Sequence, residues 1–352
     1  MGSWLSGRRF ALVVNGLNAK GSNTKGPIAL LLGCALFFCC SGIVRAELRI
    51  NHLQFVGSHN SYKQPMSVVY YTLLSLLDEN AAKALQYAHE PLHRQLDLGL
   101  RKLELDVFHQ GPSQGFVIGH VQVIDMNSHC SSLRDCLGQL LQWSEANPTH
   151  APIWISFNAK DQSIGWLPDP QRFDASAFAA MDQAIEDVLG PRLIRPAQVK
   201  PEATEPPVWP SLTDARGKFL LILDEGGVKR DLYQDQWLRR PMFVNQAASH
   251  PAAAVMIVND PIAERPRIRQ LVSDGFMVRT RADADTLEAR QNDTRRRDAA
   301  FGSGAQAIST DYYLPTNLFG NDYRVIIAGG LRCNPVNAPT ECEAELQALS
   351  DL

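Results

Sequence analysis

Cysteine is scarce in this chain, and no Cys-x-x-Cys pair occurs among its seven cysteines. That disfavours a zinc ribbon or a dithiol redox site. Three of the seven, Cys34, Cys39 and Cys40, fall in the first 46 residues, which leaves Cys130, Cys136, Cys333 and Cys342. Close spacing favours the disulfides 130/136 and 333/342, although four cysteines allow three pairings. Acidic side chains are absent from residues 1–46, which carry Arg8, Arg9, Lys20, Lys25 and Arg45 ahead of and around an apolar run from Ile28 to Val44. That run is shorter than the ~20 residues a spanning helix needs. It reads as a secretory signal peptide cut ahead of Glu47, with Val44 and Ala46 as the small residues before the cut. A retained anchor, or a lipoprotein signal ending at Cys34, is the alternative. An excess of basic charge is also missing: setting aside residues 1–46 leaves 29 basic against 37 acidic side chains, a formal charge of −8. Nothing recommends nucleic acid as a partner. Internal repeats and low-complexity tracts are not evident. The expectation is a secreted or periplasmic monomer whose mature part, residues 47–352, is one domain.

What the sequence does contain is an alternation of short β-rich runs with helical stretches. Candidate strands lie at 53–58, 102–108, 116–120, 152–158, 219–224, 254–259, 276–281 and 305–310. Apolar residues recur at helical spacing over 132–146 (Leu133, Leu137, Leu140, Leu141, Trp143) and 177–189 (Phe178, Met181, Ile185, Val188). Eight strands alternating with helices predict an α/β fold, a distorted (β/α)8 TIM-type barrel. The proline-rich stretch 193–214 reads as a surface excursion of that barrel, or as a domain linker.

In such a barrel, side chains at the C-terminal strand ends share one mouth. Strand parity puts Lys102, Glu104 and Asp106 on one face, and Trp154, Ser156, Asn158 and Lys160 on another. Two carboxylates pointing inward repel each other unless something positive lies between them. Asn60, Glu104, Asp106 and Asn158 together offer the oxygen donors of a hard cation, calcium or magnesium. The bland reading is an edge strand whose carboxylates face solvent beside Lys102. Of the nine histidines, seven read as ordinary: His52, His89, His93, His109, His129, His150 and His250. His59 and His120 each end an apolar strand, so two imidazoles stand beside carboxylates. That set suits acid/base cleavage of a phosphodiester.

The segments G-S-H-N-S-Y at 57–62, L-E-L-D-V at 103–107, G-H at 119–120, Cys136 to Pro148 and P-I-W-I-S-F-N-A-K-D at 152–161 resemble the calcium-dependent phosphatidylinositol-specific phospholipases C, in particular their secreted bacterial branch. V-R-T-R-A-D at 278–283 and G-A-Q-A-I-S-T-D-Y at 304–312 look like the closing strands. The resemblance implies His59 and His120 as catalytic residues and calcium held by Asn60, Glu104 and Asp106. It implies a phospholipid substrate at a membrane surface, cleaved to diacylglycerol and a cyclic inositol phosphate. Eukaryotic members carry a glutamate ligand where this chain has Asn158, an amide without charge. Lys160 and Arg279 are candidates to hold the phosphate, with salt bridges to Asp161 and Asp283 as the plainer account. The glycerophosphodiester phosphodiesterases have a similar layout, but pair histidine with arginine where this chain has His59-Asn60. An inert calcium- or phosphoinositide-binding barrel is a further alternative. The apolar stretch Ser67 to Leu77 reads either as a rim helix dipping into a bilayer or as a helix covering the barrel.

Overall fold

The computed structural model describes residues 47–350 apart from 112 and 202–205. The expected signal segment at 1–46, with its three cysteines, lies outside the described residues. Eleven strands are described: β1 (Leu53–Ser58), β2 (Lys102–His109), β3 (Phe116–Ile118), β4 (Ile153–Ala159), β5 (Leu193–Ile194), β6 (Phe219–Leu223), β7 (Phe243–Asn245), β8 (Ala253–Ile257), β9 (Met277–Arg281), β10 (Ala307–Thr310) and β11 (Leu331–Cys333). Eight of them pair in parallel as a closed ring, β1-β2-β4-β6-β7-β8-β9-β10 and back to β1. This is the (β/α)8 barrel.

The distortion has a location. β2 and β4 match along six residue pairs, whereas β1 meets β2 only at Gly57 and Lys102. A side chain at position 57 would put its Cβ 2.0 Å from the Lys102 carbonyl oxygen, so the seam closes only on glycine.

Two of the expected elements differ. The 116–120 run is not a barrel strand: β3 pairs antiparallel to β2 as a hairpin return. The eighth position belongs instead to β7, three residues whose brevity leaves no period to read. Nor is 193–214 a mere surface excursion. β5 pairs alongside the start of β6, and Val199, Trp209 and Leu212 are buried. The Trp209 ring lies 5.6 Å from that of Phe243, within the apolar cluster inside the barrel.

Parity sorts the core into two layers. Phe55, Trp154, Leu220, Ile222, Phe243, Val255 and Met277 fill the interior of the barrel. Leu103, Leu105 and Val107 face outward into a cluster with Leu137 and Leu140 of helix Leu133–Ala146 and Phe178, Met181 and Ile185 of helix Ala175–Leu189. Both helices start on a side-chain cap: Ser132 accepts from Asp135 N, and Asp174 from Ala177 N. The disulfides Cys130–Cys136 and Cys333–Cys342 are both formed.

Candidate active site

A cavity of about 340 Å³ opens at the C-terminal ends of the strands. His59, Asn60, Glu104, Asp106, His120, Asn158, Lys160 and Arg279 all line it. Every residue nominated from the sequence therefore reaches one place. Lys102 is an ion-pair partner of Glu104, as the plainer reading of β2 has it, but Lys102, Glu104 and Asp106 are all buried and β2 is not an edge strand facing solvent.

His59 follows β1, and its backbone N–H donates to Thr310 O at 3.1 Å. Asn60 takes a left-handed conformation (φ 46°) and donates its amide nitrogen to Tyr87 Oη at 2.7 Å, which leaves its oxygen for another partner. His120 arrives by a route the sequence did not suggest. Because β3 runs back along β2, Gly119 N bonds Asp106 O at 3.2 Å and sets the next residue beside the carboxylates.

Each imidazole has a buried carboxylate behind it. His59 Nδ1 lies 3.1 Å from Asp311 Oδ1, and His120 Nδ1 lies 3.0 Å from Asp125 Oδ2. With Nδ1 donating to the carboxylate, Nε2 is left as the free nitrogen of each ring. Lys63 Nζ holds the other oxygen of Asp125 at 2.6 Å, and the ammonium also lies over the Tyr87 ring. His89 Nε2 donates to His59 O at 2.5 Å and stands 3.7 Å from Asp311, a hydrogen-bonded histidine at the back of the site. Burial and the Arg281 guanidinium, 3.4 Å from Nδ1, lower the His59 pKa against the opposing pull of Asp311 and Glu104. Burial alone would raise Asp311, but His59 and His89 hold it well below the usual carboxylate range. Burial likewise opposes the ionised form of Asp125, and His120 and Lys63 overcome it.

The carboxylates of β2 are compensated by side chains. Glu104 Oε2 accepts from Lys102 Nζ and from Arg279 Nη2, the latter at 2.9 Å. Burial would raise Glu104, yet these two cations keep it well below its ordinary range. Asp106 Oδ2 pairs with Lys160 Nζ at 3.2 Å. The pairings expected for Lys160 with Asp161 and for Arg279 with Asp283 are not formed. Asp161 takes Lys229, and Asp283 accepts from Thr310 Oγ1 and Asp311 N. Asp224, one residue beyond β6, also lines the cavity; burial and the charges of Glu104 and Asp106 push it up to about 6 against the pull of Arg279 and Lys102.

The donor set fits a hard divalent cation in kind. Glu104 Oε1 and Asp106 Oδ1 converge on a single atom, Asn158 Nδ2, at 3.2 and 3.0 Å. One hydrogen-bond donor thus joins the two carboxylates, and the Asn60 oxygen is uncommitted to Tyr87. As the side chains lie, no three His, Cys, Asp or Glu among the described residues are grouped to chelate an ion. Lys102, Arg279 and Lys160 take the remaining oxygens.

Sequence reasoning passed over Asp125, Asp311, Arg281, Asp224 and Lys63. Parity offered a signal for three: Arg281 shares a face with Arg279, Asp311 with Ser309, and Asp224 with Leu220 and Ile222. Asp125 and Lys63 sit in loops, where no period exists to read.

The family model described as "Phosphoinositide phospholipase C, Ca2+-dependent" matches residues 48–115 and 111–335. No curated protein matches the chain. Among solved structures, the fold is similar to that of a calcium-dependent phosphoinositol-specific phospholipase C from a Gram-negative Pseudomonas species. The TM-score is 0.55 at 14% identity, over 82% of this chain and 96% of that one. It is also similar to a calcium-dependent phosphatidylinositol-specific phospholipase C from Streptomyces antibioticus, at TM-score 0.50 and 18% identity, over 75% and 95% of the two chains. The extent of the family match, across the barrel and through every strand that lines the cavity, places this chain in the Ca2+-dependent phosphoinositide phospholipase C family.

Proposed function

We propose that the protein is a secreted or periplasmic, monomeric phosphodiesterase, released from a signal peptide at 1–46, that cleaves phosphatidylinositol to diacylglycerol and a cyclic inositol phosphate. One observation carries the reading: two imidazoles, each with a buried carboxylate on Nδ1, line the same cavity as Glu104 and Asp106. Two disulfides accord with an oxidising compartment.

His59 is the base. Burial and Arg281 favour its neutral form, and Asp311 fixes the tautomer with its lone pair on Nε2. It takes the proton of the inositol 2-hydroxyl as that oxygen bonds to phosphorus. His120, oriented by Asp125, gives a proton to the glycerol oxygen as the P–O bond to diacylglycerol breaks. A tethered hydroxyl needs no activated water, because the nucleophile is already in place. Lys160 and Arg279, both lining the cavity, supply positive charge for the phosphate. Asn60, Glu104 and Asp106, with Asn158 beside them, are the residues to hold calcium. When bound, calcium supplies positive charge to the phosphate oxygens and acidifies a nearby hydroxyl.

Access to a lipid has its own support. Helix Val68–Leu77 carries no charged side chain and has no buried residue; Val69 and Leu76 are 73% and 81% exposed. A helix packed over the barrel would bury one face. This one presents apolar side chains outward and shares, through Val68 and Tyr71, an apolar cleft with Tyr87, the hydrogen-bond partner of Asn60, and it suits the interface of a bilayer.

The test is phosphorus NMR of the products formed from phosphatidylinositol vesicles with calcium. A cyclic phosphodiester at early times is expected. Acyclic phosphate alone would contradict the route, and equal hydrolysis of glycerophosphocholine would point to a nonspecific phosphodiesterase.

A further inference from the structure

β9 brings two arginines to the mouth of the barrel. Arg279 and Arg281 alternate along the strand and so share its inward face, and Arg281, the last residue of β9, stands one step nearer the opening. Both line the active-site cavity.

Their partners differ. Arg279 is buried and committed: Nη2 donates to Glu104 Oε2 at 2.9 Å and to Ser309 Oγ at 3.3 Å, and Nη1 donates to Asn259 Oδ1. The lysines of the cavity are paired too, Lys160 with Asp106, and Lys229 with Glu225 and Asp161. The guanidinium of Arg281 makes no ion pair with any described residue. Its one neighbour within hydrogen-bond range is His59 Nδ1 at 3.4 Å, and that nitrogen gives its proton to Asp311, so it has no lone pair to offer. Arg281 Nε is buried with no partner at all. Enclosed donors left unpaired are unfavourable, and an anion placed against them relieves that cost.

Position identifies the anion. Arg281 flanks the ring whose Nε2 takes the proton of the attacking hydroxyl, and that hydroxyl oxygen bonds to phosphorus in the same step. The negative group that comes beside His59 is therefore the phosphodiester phosphate. Its two non-bridging oxygens match the planar fork of a guanidinium.

We infer that Arg281 binds the phosphate of the substrate directly through its free N–H donors, and so sets the preference of the cavity for a phosphorylated headgroup over an uncharged polyol. The inference rests on the phospholipase reading above. Arg279 and Lys160, held by Glu104 and Asp106, then supply charge behind that contact.

The test is turnover of phosphatidylinositol with calcium by wild type, Arg281→Gln and Arg281→Lys, with inhibition by myo-inositol and by myo-inositol 1-phosphate measured on each and thermal melts as the check on folding. Arg281→Gln should lose roughly tenfold or more in kcat/KM and bind myo-inositol 1-phosphate more weakly by a similar factor, the loss of a charge-assisted hydrogen bond. Inhibition by myo-inositol, which has no phosphate, should not change. Arg281→Lys keeps the charge without the fork and should recover part of both losses. Unchanged turnover in Arg281→Gln, or equal weakening of both inhibitors, would overturn the inference while leaving the phospholipase reading intact. Absence of turnover by the wild type would overturn both. Should Arg281→Gln melt low, Arg281→Met replaces it with the same expected losses and the same refuting results.

Discussion

Asp311 is the residue on which the proposed base most depends. Its carboxylate is buried, sits 3.1 Å from His59 Nδ1, and is the nearest negative charge to that ring. Replacing it by asparagine has two effects. An amide can donate to Nδ1 instead of accepting from it, which puts the proton on Nε2 and removes the lone pair that abstracts the inositol proton. Loss of correct tautomer and orientation costs about 10²- to 10⁴-fold in kcat, or about 3–5 kcal/mol. The second effect is electrostatic. Unit charges at this separation and an effective dielectric of ~20 interact by roughly 5 kcal/mol, an upper bound because the His59 ring is partly exposed. Asp311 raises His59, so its removal lowers it further. The acid limb of kcat/KM, which reports the base becoming neutral, should therefore move to lower pH. Because native Asp311 lies below its ordinary 3.8, its contribution to stability is present above about pH 4 and is lost as pH falls further; the variant should show a flatter stability curve in that acid range. The assay is release of water-soluble phosphate from phosphatidylinositol across pH, with circular dichroism melts alongside. A folded Asp311→Asn enzyme within threefold of wild type, with an unmoved acid limb, would refute the role given to this pair.

Lys63→Met leaves Asp125 buried without its cation. Denaturant unfolding should show a loss of about 3–5 kcal/mol, and kcat should fall as His120 loses its fixed partner; a loss under about 1 kcal/mol would show that the pair is not structural. The triple variant Val69→Ser, Leu73→Ser, Leu76→Ser removes side chains 73%, 44% and 81% exposed, so folding should be unaffected. Sedimentation with phosphatidylinositol vesicles should weaken by roughly tenfold or more, while cleavage of a monomeric short-chain phosphatidylinositol stays unchanged. Equal vesicle binding would remove the helix from the interface.

The barrel was legible because most of its strands are apolar runs bounded by turns, as in Phe219–Leu223 followed by Asp-Glu-Gly-Gly. It was illegible where strands are short or reverse. Phe243-Val244-Asn245 carries no period, and Phe116–Ile118 looks the same whether it enters the ring or folds back on β2. The proline count of 193–214 hid Trp209, whose ring lies inside the barrel. Parity alone brought Glu104, Asp106 and Asn158 to one cavity, and would have brought Asp224, Arg281 and Asp311. What the sequence could not disclose is tertiary: Lys63 and Asp125 are 62 residues apart on loops, and only the fold sets them 2.6 Å apart behind His120. The buried compensation of Glu104 by Arg279, across 175 residues, is of the same kind.

Turnover of phosphatidylinositol by wild type, His59→Ala and His120→Ala, each with calcium and with a chelator, tests the central claim most directly. The account expects wild type to act only with calcium and each alanine variant to fall by about 10²-fold or more while still folded. Full turnover in chelator, or undiminished activity in either variant, would contradict it.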